Sequence, residues 1–400
     1  MLIEHLNRQL RERAGQSLTR QRRTAMSPCG SHPRVMHEGV ERLVLAFCSN
    51  DYLGLANHPA LVAALAEGAC RWGVGSGASH LVSGHSEVHA ALEGDLAGWI
   101  SPCIPGARAL FFGTGYLANL ALLTALGDAR ATLFADKLNH ASLVDGGLLA
   151  RAHMQRYAHG RLDVLERQLQ NCTTPVRLIV TDAVFSMDGD LADLPALLNL
   201  AERYDAWLIV DDAHGFGVLG PQGRGSLAHF DLRSERFIYM GTLGKAAGVA
   251  GAFVAAHPTI AEWLLQVARS YIYTTAAPPA IAHALRASLE LITGEEGARR
   301  RVWLQQRVHQ LRDGLAAMIA QRPSLDWHLP ESTTAIQPLI VGDNERALSL
   351  SSALEAQGLW VPAIRPPTVP LGTARLRITL SAAHAAGDVE RLLTALRIAS

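Results

Sequence analysis

Between residues 107 and 256 the chain alternates short apolar runs with stretches of helical spacing, and few folds accommodate that alternation. The runs are "ARALFF" (107–112), "ATLFAD" (131–136), "VRLIVTDAVFS" (176–186), "AWLIVDDAH" (206–214), "RFIYMGTL" (236–243) and "VAGAFVAA" (249–256). They are rich in Val, Ile, Leu and Phe and lack clean apolar–polar alternation, which predicts strands buried on both faces. Helices are predicted from Tyr116 to Leu126, near Ala141–Arg151, and over 192–205 with a proline near its start. This order specifies an α/β fold with a mostly parallel central sheet. After about residue 285 the pattern changes to a long helix (Gly297–Gln321), "AIQPLIVG" (335–342), a helix over 345–358, "LWVPAI" and "ARLRITLS". That predicts a smaller C-terminal α+β domain with an antiparallel sheet. The expected division is an N-terminal arm and segment (1–50), a large α/β domain (51–285) and a small domain (286–400).

Composition excludes several function classes. Lysine plus arginine equals aspartate plus glutamate at 36 each, so net charge gives no reason to expect nucleic acid or a membrane surface as partner. No run of about 18 apolar residues predicts a membrane span. The five cysteines (Cys29, Cys48, Cys70, Cys103, Cys172) are scattered and lack any C-x-x-C. That pattern suits reduced thiols in a cytoplasmic protein better than disulfides or a zinc site. Residues 1–23 carry Arg8, Arg11, Arg13, Arg20, Arg22 and Arg23 against Glu4 and Glu12. A mitochondrial transit peptide is one reading, but the two acids and few serines favour a helical arm of the mature protein.

Within "YMGTLGKAAGVAGAF" a single long cationic side chain, Lys245, sits among small and apolar residues. A desolvated lysine is rare unless it is paired or used, and a lowered pKa makes it a nucleophile or base. "GTGYLA" (113–118) places glycines between a strand and a helix, a cradle of N–H donors for a phosphate. With Asp136 about 20 residues on, it also matches the dinucleotide-binding fingerprint. "VDDAHGFG" puts Asp211 at a strand end and His214 three residues later. His140, Ser186, Thr242 and Lys245 follow other strands. Ligands of open α/β sheets bind outside the carboxyl ends of the strands, so these groups converge on one edge. A lysine for a Schiff base, an acid for a ring nitrogen and a phosphate cup formed by Gly115 and Tyr116 suit pyridoxal 5′-phosphate. His85, His89 and Glu93 share a helix face but lack H-E-x-x-H, so no metal site is expected.

The stretches "FCSNDYLGL" (47–55), "VFSMDGD", "VDDAHGFGVLG", "TLGKAAG" and "AIRPPTVP" (363–370) resemble, in order and over nearly the whole chain, the α-oxoamine synthase family. The resemblance implies a pyridoxal-phosphate-dependent transferase of fold type I, acting as an acyltransferase. "AIRPPTVPLGTARLRITLSAAH" is most similar to the branch that joins L-alanine to a pimeloyl thioester, on coenzyme A or acyl-carrier protein, in biotin biosynthesis. It implies catalytic roles for Lys245, His140, Asp211 and His214. It implies cofactor contacts from Gly115, Tyr116, Ser186, Thr242, Thr274 and Thr275, the last two acting across a homodimer with shared active sites. Substrate contacts are implied for Arg20, Asn50, His140, Arg365 and Thr368. "AHG" (158–160) departs from the family's His-Asn-Asp. The rivals are a sister synthase such as glycine C-acetyltransferase, a nicotinamide-dependent oxidoreductase using Gly113–Ala118, and a non-catalytic subunit of the same fold.

Overall fold

The computed structural model describes every residue except Ser17, Arg20, Gln21 and Glu38. Seven strands form the central sheet: β1 (Arg108–Phe112), β2 (Ala131–Asp136), β3 (His153–Tyr157), β4 (Val176–Asp182), β5 (Trp207–Asp211), β6 (Phe237–Thr242) and β7 (Ala252–Ala256). Their spatial order is β1-β7-β6-β5-β4-β2-β3. Only β7 is reversed; it pairs antiparallel with both β6 and β1. The sheet splits its side chains strictly by parity. Phe111, Phe134, Ile179, Leu208, Val210, Phe237 and Tyr239 enter one core, and Leu110, Leu133, Leu178, Val180, Ile209, Ile238 and Met240 the other. That is the period of two expected of strands covered on both faces.

Six apolar runs became strands and β3 is an addition. "HMQRY" is a polar edge strand, so no apolar run announces it. Two runs stop earlier than their apolar content predicts. The chain leaves β4 at Asp182 and β5 at Asp211, where both carboxylates become buried.

The smaller sheet is antiparallel, with Ala374–Thr379 between Ile336–Gly342 and Ala363–Ile364. Leu45–Ala46 pairs in parallel with Leu359–Trp360, which ties the N-terminal segment to this C-terminal unit. The N-terminal arm is a helix, Leu2–Gly15, with none of its residues buried. Among the described residues, no helix is long and apolar enough to cross a membrane.

Candidate active site

Six of the seven strands present their carboxyl ends at one edge of the sheet, and the polar residues at the ends of β1, β2, β4, β5 and β6 gather there. Lys245 hangs in the turn between β6 and β7. Leu243 N–H donates to Gly251 O (2.8 Å) and Gly248 N–H to Lys245 O (2.9 Å). Gly248 has φ +70°, and a Cβ there would lie 2.6 Å from the carbonyl carbon of Leu55. Glycine therefore seats the turn on the 53–55 segment.

Lys245 Nζ lies 2.8 Å from His214 Nε2. Burial lowers the lysine pKa to about 8, although Asp211 and Asp182 pull the other way. Burial, with Lys245 beside it, holds His214 well below the usual histidine range. A protonated lysine can only donate, so the neutral imidazole accepts at Nε2 and donates from Nδ1 to Tyr52 Oη. Tyr52 then donates to Asn50 Oδ1 (3.2 Å). The same oxygen receives Arg377 Nη2 and Nη1 at 3.3 and 3.4 Å. Lys245 is thus linked through His214, Tyr52 and Asn50 to a buried guanidinium.

A second chain starts at Asp211. Its Oδ1 accepts from Ala213 N–H (3.0 Å) and its Oδ2 from Asn119 Nδ2 (2.7 Å). Asn119 Nδ2 also donates to Ser142 Oγ (2.8 Å), which lies 2.7 Å from His140 Nδ1. The His140 backbone N–H donates to Asp182 Oδ2 (2.6 Å). Burial, and Asp211 opposite it in register, push Asp182 well above the carboxylate range. Burial lowers His140, with Asp211 opposing.

Gly115 opens the helix Gly115–Leu126, capped by Thr114, whose Oγ1 accepts from Leu117 N–H. The remaining first-turn donors of that helix belong to Gly115 and Tyr116. A Cβ on Gly115 would lie 3.7 Å from Thr242 Oγ1, so the cup and Thr242 adjoin. Beside His140 opens a cavity of about 620 Å³ lined by Val144, Phe185, Ser186, Met187, Thr368 and Val369, among others.

The structure therefore brings together Lys245, His214, Asp211, His140 and Asn50, and places Gly115 beside Thr242. Ser186 and Thr368 line the cavity with His140, and the Ser186 carbonyl accepts from Arg377 Nε (2.6 Å). Arg365 lines an adjoining pocket with Arg13 and Leu18, which shares Pro367 and Thr368 with that cavity, and it is Arg377 that binds Asn50. Arg20 lies outside the described residues. Thr274 is half-buried and Thr275 exposed, on a segment that Ala276 N–H ties to Ala78 O (3.0 Å). His85 and His89 do not share a ligand face with Glu93, which instead accepts from Phe111 N–H (2.8 Å). They cluster with His80, but His89 already accepts from Ser86 N–H at Nδ1 and donates to Ala277 O from Nε2. His159 of "AHG" bridges Asp136 and Asp190 at 3.1 and 2.8 Å. Sequence reasoning missed Tyr52, Asn119, Ser142, Asp182 and Arg377.

The sheet order also removes the dinucleotide reading. That fingerprint needs its acidic residue on a strand next to the glycine turn. Here β1 and β2 are separated by β7, β6, β5 and β4. At about 4.8 Å per strand, Asp136 is on the order of 24 Å from Gly113–Gly115.

The aminotransferase class I and II family model matches residues 42–396. The chain belongs to that family. Relatives that resemble it include "8-amino-7-oxononanoate synthase 2" of Polaromonas sp., 73% identical over 100% of this chain and 99% of the relative. The solved 8-amino-7-oxononanoate synthase of Francisella tularensis is 30% identical, covering 88% of this chain and 96% of that one, with a TM-score of 0.74. Serine palmitoyltransferase of S. paucimobilis, solved with a bound PLP–myriocin aldimine, is 26% identical over 99% and 96% of the two chains, with a TM-score of 0.87. The fold is therefore that of the type I pyridoxal-phosphate enzymes. The donor set fits the cofactor: a half-buried amine whose pKa desolvation lowers to about 8, a buried carboxylate on the adjacent strand, and a helix N-terminus beside a threonine hydroxyl.

Proposed function

We propose that the chain acts as an 8-amino-7-oxononanoate synthase, a pyridoxal-phosphate-dependent acyltransferase of biotin biosynthesis. It condenses L-alanine with a pimeloyl thioester and releases carbon dioxide and the free thiol carrier. The observation that carries this reading is Lys245, half-buried in the loop after β6 with its pKa lowered to about 8, one strand from Asp211 and near the cavity that His140 lines. Bound pyridoxal phosphate would supply the electron sink for the pair left when the α-proton and then carbon dioxide depart.

The residues divide the remaining work. Lys245 holds the cofactor and takes the α-proton of alanine. Asp211 would hold the ring nitrogen, and His140 would help hold the ring and meet substrate. His214 and Ser186 serve the ring-hydroxyl side. Gly115, Tyr116 and Thr242 hold the phosphate, joined across a homodimer by the partner's Thr274 and Thr275. Thr368 faces the acyl substrate, as would Arg20 on the arm. For the amino-acid carboxylate Arg365 was the expected fork; the bond from Arg377 to Asn50 supports Arg377 in that role. The acyl carrier is coenzyme A or acyl-carrier protein, and the site of action is the cytoplasm.

The test is turnover of the loaded enzyme with L-alanine and pimeloyl-CoA, against glycine and acetyl-CoA. The expected result is 8-amino-7-oxononanoate and carbon dioxide in equal amounts, and none from Lys245→Ala. Faster turnover of glycine would move the assignment to a sister synthase. A wild-type protein that takes up no cofactor would overturn it.

A further inference from the structure

We infer that Asn119 is a positioning residue: its single buried amide fixes the hydrogen-bonding states of both Asp211 and His140. The inference rests on the acyltransferase reading, in which those two groups face the cofactor. Asn119 is 1% exposed on a helix whose other buried residues are Ala118, Ala121, Leu122 and Leu123. An amide costs free energy in such a place unless it is bonded.

The orientation of the amide is forced. Asp211 accepts the Ala213 N–H at Oδ1 and lies 2.7 Å from the amide at Oδ2, so a carboxylate oxygen meets the amide nitrogen. Turning the amide would set Asn119 Oδ1 against Asp211 Oδ2. In the observed orientation Oδ1 has no side-chain or backbone partner, which is the cost of aiming both N–H groups elsewhere. The second N–H occupies a lone pair of Ser142 Oγ. That leaves the one Ser142 hydrogen for His140 Nδ1, which also accepts from Ser142 N–H at 3.2 Å. His140 Nδ1 is then an acceptor twice over, and a neutral ring carries its proton on Nε2. The bonds run outward from the amide in both directions. Asp211 is held as an acceptor, and His140 is left with Nε2–H as the donor edge for the cavity it lines. The other charged groups acting on this pair are Asp182, Asp145, Asp212 and Lys245.

Asn119→Asp keeps the shape and replaces a donor by an acceptor. Ser142 then donates toward the new carboxylate and abandons His140 Nδ1. The first readout is imidazole ¹⁵N NMR of the cofactor-free protein, with the His140 signals assigned by His140→Gln. Wild type should show the Nε2–H tautomer; Asn119→Asp and Ser142→Ala should both displace the Nδ1 signal, and Ser142→Thr should restore it. The second readout is the pH titration of visible absorbance in the loaded protein. Its midpoint should move by about one unit in Asn119→Asp and stay in place in Ser142→Ala, where the Asp211 bond is intact. A folded Asn119→Asp with both readouts as in wild type would overturn the inference and leave Asn119 a packing residue. If Asn119→Asp does not fold, an unmoved His140 signal in Ser142→Ala overturns it equally. Failure of the wild type to take up pyridoxal phosphate would instead remove the acyltransferase reading, and the NMR arm would still decide the tautomer.

Discussion

The lysine side and the acid side of the site are built in opposite ways. The lysine chain crosses the molecule, from the β6–β7 turn through His214 and Tyr52 to Asn50 and on to Arg377 of the small sheet. The acid chain stays local, running from β5 through one helix to the residues after β2. The three side-chain links on the acid side run 2.7–2.8 Å, and the two that Asn119 makes are buried. The lysine side ends in three contacts of 3.2–3.4 Å around one amide oxygen. The acid side is therefore fixed by the sheet and its first helix. The lysine side depends on the N-terminal segment and the small sheet being docked, which suits a group that must change partners during turnover.

The harshest way to break this contrast is Asp211→Asn, which should cut kcat/KM by about 10²–10³-fold, as for loss of a preorganised charge, while thermal unfolding stays close to wild type. A mild effect would mean the acid side is not the rigid pole. Next is Arg377→Lys, which replaces a planar fork by a point charge. The KM for alanine should rise about tenfold or more with a smaller change in kcat, measured by initial rates. An unchanged KM would return carboxylate binding to Arg365.

Stability against pH isolates the lysine itself. Its folded pKa of about 8 lies below the unfolded value of about 10.4. The folded state therefore carries a penalty that is full below pH 8 and fades as pH rises toward 10.4. Lys245→Met should stabilise the cofactor-free protein by roughly 2–3 kcal/mol at pH 7, with the gain vanishing near pH 10.5 in denaturant titrations. A gain that grows with pH would contradict the burial described. The gentlest probe is Tyr52→Phe, which removes one link from the lysine chain. It should cost about tenfold or less in kcat, near the worth of one hydrogen bond. A larger loss would show that His214 needs Tyr52 to hold its ring.

The groups legible in the sequence were those that announce themselves singly. Lys245, Asp211, His214 and His140 each follow a strand, and strand ends of an open sheet share an edge. Asn119 left a faint signal, one amide within "GYLANLALLTAL". Arg375 and Arg377 of "ARLRITLS" gave no signal of their own. Both are buried, one paired with Asp188 and the other on Ser186 O and Asn50. Tyr52 was legible only as part of a family motif, because its partner is 162 positions away in the chain. β3 was missed because an edge strand needs no apolar run.

The reversed strand β7 has a further consequence. A parallel neighbour would require a crossover of about a dozen residues or more, usually with a helix in it. The reversal lets β6 reach its neighbour through a nine-residue loop, 243–251, and Lys245 rides in that loop between two paired strands of the sheet. Among the described residues, no helix stands between Lys245 and either strand. Under the proposed function, drift in the helices and loops around the cavity beside His140 can reshape what the protein accepts without displacing the Lys245 amine. Selectivity and chemistry are mechanically separable in this chain.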